Sequence, residues 1–169
     1  MPDIARASSA GLSPVPSFPF IPASGPLVTP GTVTSGTVMA FDFGGERIGV
    51  AVGETSTWLA HPLTTIGGGT IDARFNAISR LIADWKPSLL LVGLPVHLDG
   101  TEHEMTARAR RFARRLEGRF GIAVELVDER LTTREAASRL HYAGVAVRRQ
   151  RPVRDRVAAQ AILETWLAG

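Results

Sequence analysis

The stretch Val38-Met-Ala-Phe-Asp-Phe-Gly-Gly-Glu-Arg-Ile-Gly-Val-Ala-Val52 decides the fold. Its first part, Val38–Phe43, is a nearly continuous apolar run, the signature of a strand buried on both faces. Ile48–Val52 is a second strand, joined to the first by the tight Gly44-Gly45 connection. Downstream, His61–Ile66 reads as a weaker third strand, ended by Gly67-Gly68-Gly69. The period then changes. Ile71, Phe75, Ile78, Ile82 and Trp85 recur at three and four, which predicts an amphipathic helix stopped at Pro87. Leu89–Leu94 is another buried strand, closed by Pro95. Thr101-x-x-Glu104 reads as a capping box, with Met105, Ala109, Phe112 and Leu116 as the apolar stripe behind it. Ile122–Val127 is a fifth strand, and Thr132-x-x-Glu135 opens a helix to about His141. Val153–Leu167 is the last helix. A three-strand meander followed by strand–helix crossovers predicts an α/β fold, a mixed sheet flanked by helices.

Upstream of this body the composition changes. Residues 1–36 hold seven of the eleven prolines and two charges, Asp3 and Arg6, which cancel. Such a Pro/Ser/Gly-rich stretch forms neither a helix nor a central strand, so a disordered extension is expected there. Its prolines break every apolar helix that could span a membrane. No basic start precedes an unbroken apolar block, so no signal peptide is expected. The remainder, 37–169, is long enough for one domain with a real core. Cysteine is absent, which excludes disulfides, thiolate metal sites and a cysteine nucleophile and fits a reducing cytosol. The net charge is +3, from 19 basic and 16 acidic residues, and Lys86 is the sole lysine. The arginines supply planar forks suited to phosphate.

Three carboxylates stand where a carboxylate is costly. Asp42 shares a strand face with Val38 and Ala40, where an ionised group must be paired or bind a cation. An aspartate at a strand end also suits a turn at Gly44. Asp155 opens the last helix on the stripe of Ala158, Ala159, Ile162 and Trp166, so it points toward the sheet, although the helix dipole alone favours an acid there. Asp128-Glu129-Arg130 ends the fifth strand, and ligand sites of α/β sheets lie beyond the carboxyl ends of strands. If the strand carrying Asp42 is central and the fifth lies beside it, the carboxylates converge at one end of the sheet. Like charges so close require a cation, and hard oxygens favour Mg²⁺ or Mn²⁺. Such a site suits metal-assisted phosphodiester cleavage.

Basic clusters supply the substrate side. Arg108, Arg111 and Arg115 share one helix face at three and four spacing, which a solvated face would also explain. Arg148, Arg149, Arg151, Arg154 and Arg156 crowd the loop into the last helix and flank Asp155, as a polyanionic substrate requires. His61, His97, His103 and His141 show no metal-ligand spacing and read as loop or surface residues.

Taken in order, the Met39–Val52 stretch, Val92-Gly-Leu-Pro, Asp99-Gly-Thr, Val127-Asp-Glu-Arg-Leu-Thr-Thr and Asp155-Arg-Val-Ala-Ala resemble the YqgF family. These are bacterial Holliday-junction-resolvase-like proteins regarded as pre-16S rRNA nucleases. The resemblance covers about Thr37 to Leu167. It departs from the family at Gly45, where Thr is usual, and at His97, where Asn is usual. It implies a ribonuclease-H-like fold, a five-stranded mixed sheet whose first three strands are antiparallel. It also implies a cytoplasmic nuclease that trims the 5′ end of 16S rRNA precursor, in partnership with precursor RNA or ribosomal precursor particles. The family's acidic positions fall on Asp42, Glu129 and Asp155, with Asp128 as a fourth candidate ligand. Those residues would hold one or two Mg²⁺ or Mn²⁺ ions. Arg130 would neutralise phosphate or orient Glu129, and Arg148, Arg149, Arg151 and Arg154 would hold the substrate backbone.

Three other readings compete. A resolvase of four-way DNA junctions keeps the chemistry and needs a dimer. The Asp-Phe-Gly-Gly hairpin also resembles the phosphate-binding turn of actin-like ATPases, which need two such domains. A non-catalytic rRNA-binding protein would use the arginines alone and gain nothing from the acids.

Overall fold

The structure, a computed structural model, describes residues 35–130 and 150–169, without the side chains of Gln150 and Arg151. All but the end of the 1–36 extension, the helix expected from Thr132 to His141, and Arg148 and Arg149 lie outside the described residues.

The strands are β1 (Thr37–Phe43), β2 (Ile48–Glu54), β3 (Leu59–Ile66), β4 (Leu89–Leu94) and β5 (Val124–Asp128). The helices are α1 (Ile71–Trp85), α2 (Glu104–Phe120) and α3 (Gln150–Ala168). The five strands form one mixed sheet in the order β3-β2-β1-β4-β5. β1 pairs antiparallel with β2, as β2 does with β3, while β1–β4 and β4–β5 are parallel. This is the ribonuclease-H-like arrangement, with β1 at its centre.

Apolar runs in β1 and β4 follow from coverage on both faces. Met39 and Phe41 pack with Val50, Leu90, Phe75 and Phe112 under α1 and α2. Val38 and Ala40 pack with Leu91, Ala159, Ile162 and Leu163 under α3. Phe41 is wholly buried. Truncating such a residue to Ala costs about 3–5 kcal/mol.

Local signals set the helix ends. Thr70 caps α1 by accepting a bond from the Ala73 amide, and Lys86 ends it at φ 46° with its amide on the Ile82 carbonyl, one residue before Pro87. The start of α2 differs from the expected box. Asp99 Oδ1 accepts from both the amide and the hydroxyl of Thr101, at 2.9 and 2.7 Å, so Thr101 is consumed by the loop. His103 takes over as cap: its Nδ1 accepts from the Met105 amide, and the Thr106 hydroxyl accepts from the His103 amide. His103 is thus a capping residue rather than a passive loop residue. At the end of the chain, residues 150–156 belong to the first turns of α3 rather than to a basic loop.

Candidate active site

One end of the α3-covered face gathers the acids. β1 alternation carries Asp42 onto the same face as Val38 and Ala40, as the sequence pattern requires. Asp42 lies opposite Gly49 of β2. On its other side, the parallel β1–β4 register ends with Phe41 opposite Val92, so the next pair would be Asp42 and Gly93. β5 is not beside β1, because β4 intervenes. Convergence of the acids therefore depends on Gly93. A Cβ at this glycine would lie 1.8 Å from Glu129 Oε1 and 2.5 Å from Ile162 Cδ1. The missing side chain is the space through which Glu129 reaches toward Asp42. The Glu129 amide donates to the Leu94 carbonyl at 3.3 Å, which extends the β4–β5 ladder past the strand's end and fixes that reach.

Gly49 does the same for the last helix. A Cβ there would lie 1.9 Å from the Asp155 carbonyl oxygen, so the α3 backbone sits directly on β2. The Thr65 hydroxyl donates to the Pro152 carbonyl at 2.5 Å and ties the start of α3 to β3. Asp155 is thereby brought to the Asp42 end of the sheet, where Arg47 Nε donates to its Oδ2 at 2.6 Å. Gly49, Gly93 and Arg47 are the site residues that periodicity did not pick out. The signal for both glycines was present, since a glycine inside a strand pattern marks close approach. Nothing in spacing pairs Arg47 with a residue more than a hundred positions away.

The electrostatics are those of acids held together against repulsion. Burial raises the Asp42 carboxyl from 3.8 to about 6; the Asp155 charge adds to this and Arg154 opposes it. Burial raises Glu129 from 4.5 to about 8, with further push from Asp42 and then Asp128. Asp128 behaves differently. It is half-exposed and accepts from Arg130 Nε at 2.7 Å and from the Arg130 amide at 3.0 Å, which holds its carboxyl low. Arg130 is therefore engaged with Asp128. Arg154 lies near enough to act on Asp42, whereas Arg151 is described only as helical backbone.

Hard carboxylate donors with raised affinity for protons are suited in chemistry to a divalent cation. Among the described residues, no three acidic or imidazole side chains are gathered closely enough to share one ion. Asp42 and Glu129 are the pair the sheet brings together, with Asp155 alongside and neutralised by Arg47. Among the described residues, no helix is long and apolar enough to cross a membrane.

The chain is also similar to known proteins. A family model described as "RuvX: Holliday junction resolvase" matches residues 36–169. A protein of Nitrosomonas europaea named "Putative pre-16S rRNA nuclease" is 58% identical over 135 residues, covering 80% of this chain and 91% of that one. A protein of Chromobacterium violaceum with the same name is 58% identical over 129 residues, covering 76% and 94%. Among solved structures, T. thermophilus RuvC in complex with a Holliday junction substrate is similar at a TM-score of 0.47 and 16% identity, over 78% of this chain and 94% of that chain.

Proposed function

The chain belongs to the RuvX family, and from that premise we propose that it is a divalent-metal-dependent nuclease that trims the 5′ end of 16S rRNA precursor. The carrying observation is the placement of Asp42 between two glycines, with Glu129 entering over one and the Asp155 backbone over the other. A binding surface for RNA gains nothing from acids buried at such cost, whereas a phosphodiesterase needs them.

Asp42 and Glu129 would hold Mg²⁺ or Mn²⁺, one or two ions, and Asp155 would complete the set only by turning from Arg47 toward them. A divalent ion held there would supply Lewis acidity for phosphodiester cleavage and would make water more acidic. The chain's own residues do the rest. Beside Asp42, Gly93 leaves room for the Glu129 side chain and Gly49 for the α3 backbone. Arg47 holds the Asp155 carboxylate in place. Arg154, with Arg148, Arg149 and Arg151, would grip backbone phosphates. Arg130 holds Asp128, so Asp128 serves as a partner of Arg130 before it serves as a ligand. The setting proposed is the cytoplasm, on free precursor or on ribosomal precursor particles.

The test offers a labelled 16S precursor leader and a four-way DNA junction to wild type and Asp42→Asn, with Mg²⁺ present. Wild type should cut the RNA and the variant should cut neither. Cleavage of the junction alone would replace this reading with a resolvase. Equal behaviour of the two proteins would remove the role of the carboxylates.

A further inference from the structure

The arginine face of α2 is not simply solvated. A cavity of about 320 Å³ opens on the α1/α2 face of the sheet, at the same end as the acids. Arg74, Arg108, Arg111 and Arg115 line it, and Phe43 with Ile71 forms an apolar wall. The Phe43 ring is stacked at 4.6 Å on Phe112, which also lines the cavity.

Four guanidinium groups around one cavity repel unless an anion joins them. Among the described residues, none of the four is in an ion pair with a carboxylate. The nearby Asp72 is engaged by Arg119 at 3.7 Å. Arg74 donates from Nη1 to the Gly45 carbonyl at 3.1 Å, which pins it at the β1–β2 turn. Its Nε is buried and, among the described residues, has no hydrogen-bond partner. A buried cationic donor left unmatched marks a place for an acceptor that the described residues do not provide.

We infer that this cavity binds a nucleotide whose base is unpaired, the guanidinium groups taking the phosphate and the apolar wall taking the base. Phosphate oxygens match the forks of arginine, and an unpaired base has a face to lay on an aromatic or aliphatic wall. The volume is at the lower end of ligand sites, roughly 300–1,000 Å³, which suits one nucleotide and not a protein segment. The β1–β2 turn separates the cavity from the acids. Arg47 on the turn bonds Asp155 on one side, while Gly45 meets Arg74 and Arg108 on the other. A single strand crossing this turn would reach both. That choice of ligand rests on the reading of the chain as a nucleic-acid enzyme.

The test measures binding, not cleavage, so it is separate from the test of the nuclease reading. The full chain is titrated with a short labelled single-stranded oligoribonucleotide in EDTA, across a series of salt concentrations. Arg111→Ala should weaken binding about tenfold, and each lost phosphate contact should lower the salt slope by roughly 0.7. Ile71→Glu places an anion at the rim, at an exposed first-turn position where helix α1 tolerates acid, and should weaken binding at least as much. Arg114→Ala removes the same charge from an exposed position of α2 outside the cavity and should change little. Competition by unlabelled AMP would show that free nucleotide enters. No competition by AMP, with the variants still impaired, would assign the phosphate to a strand. Equal affinities for wild type, Arg111→Ala and Ile71→Glu would overturn the inference, as would an equal loss in Arg114→Ala.

Discussion

Asp42 and Phe43 are neighbours in β1, yet strand alternation sends one to each face of the sheet. Asp42 joins a cluster of acids under α3, and Phe43 lines an arginine-rimmed cavity under α1 and α2. The two regions are built at different cost. The acids are largely buried, and two of them have carboxyls raised well above their ordinary range. Arg108, Arg111 and Arg115 are exposed at the rim of the cavity. Burying charge of one sign requires rigid neighbours to hold it there, while an exposed cationic rim needs only a helix face with the right spacing. The acidic side should therefore be intolerant of small changes in shape. The basic side should tolerate them and respond to charge.

Gly93→Ala is the harshest test of that contrast. The added methyl would collide with Glu129 and with Ile162 of the core. Cleavage should fall roughly 100-fold, the top of the range for disturbing the surroundings of a ligand. Stability should fall by about 1–3 kcal/mol from overpacking. Cleavage assays and urea denaturation would read the two separately. A variant with wild-type cleavage would mean that Glu129 does not work from the position above Gly93.

The protons of the acidic side give the next effect. Native Asp42 and Glu129 stay protonated up to about pH 6 and about pH 8, while in the unfolded chain they ionise near 3.8 and 4.5. Across that window the native state binds more protons than the unfolded state. Metal-free protein should therefore be most stable in acid and lose stability as pH rises from about 4 to about 8. Asp42→Asn removes one charge from the pair, so it should flatten the profile and stabilise the metal-free protein at pH 8, by about 1–3 kcal/mol. Denaturation at stepped pH in EDTA would measure it. A flat wild-type profile would mean that the two acids ionise in the native state as they do in the unfolded chain.

How much of this was legible in the sequence divides along the same line. β1, β4 and α1 were readable because their apolar patterns are set by the core on which they lie, and the core follows from period alone. Asp42 was readable for the converse reason: a charge inside such a pattern needs an explanation. The start of α2 was misplaced because Thr101-x-x-Glu104 has the right letters, while the competing Asp99 turn depends on which backbone groups are already taken. The position of β5 was misplaced by one strand, since strand order is a tertiary property. What that placement hides is Gly93, whose role consists of an absent side chain and is visible only against Glu129. The arginine face was legible as spacing but not as a cavity, because its other walls come from β1 and α1.

Asp128 and Arg130 offer the smallest effect and the finest distinction. Both side chains are more than two-fifths exposed, so their ion pair is screened by water and contributes little to the fold. Arg130→Ala should leave the thermal midpoint unchanged at acidic pH, where Glu129 is protonated. The variant still alters the acidic side, because Asp128 adds to the charge that raises Glu129. Without its guanidinium partner, Asp128 presents that charge uncompensated. The alkaline end of the stability profile should then move to higher pH, with the affinity for single-stranded RNA and its salt slope unaltered. A fall in the salt slope with no movement of the profile would instead make Arg130 a phosphate contact, joining it to the basic elements on the other side of the β1–β2 turn rather than to the acids beside it.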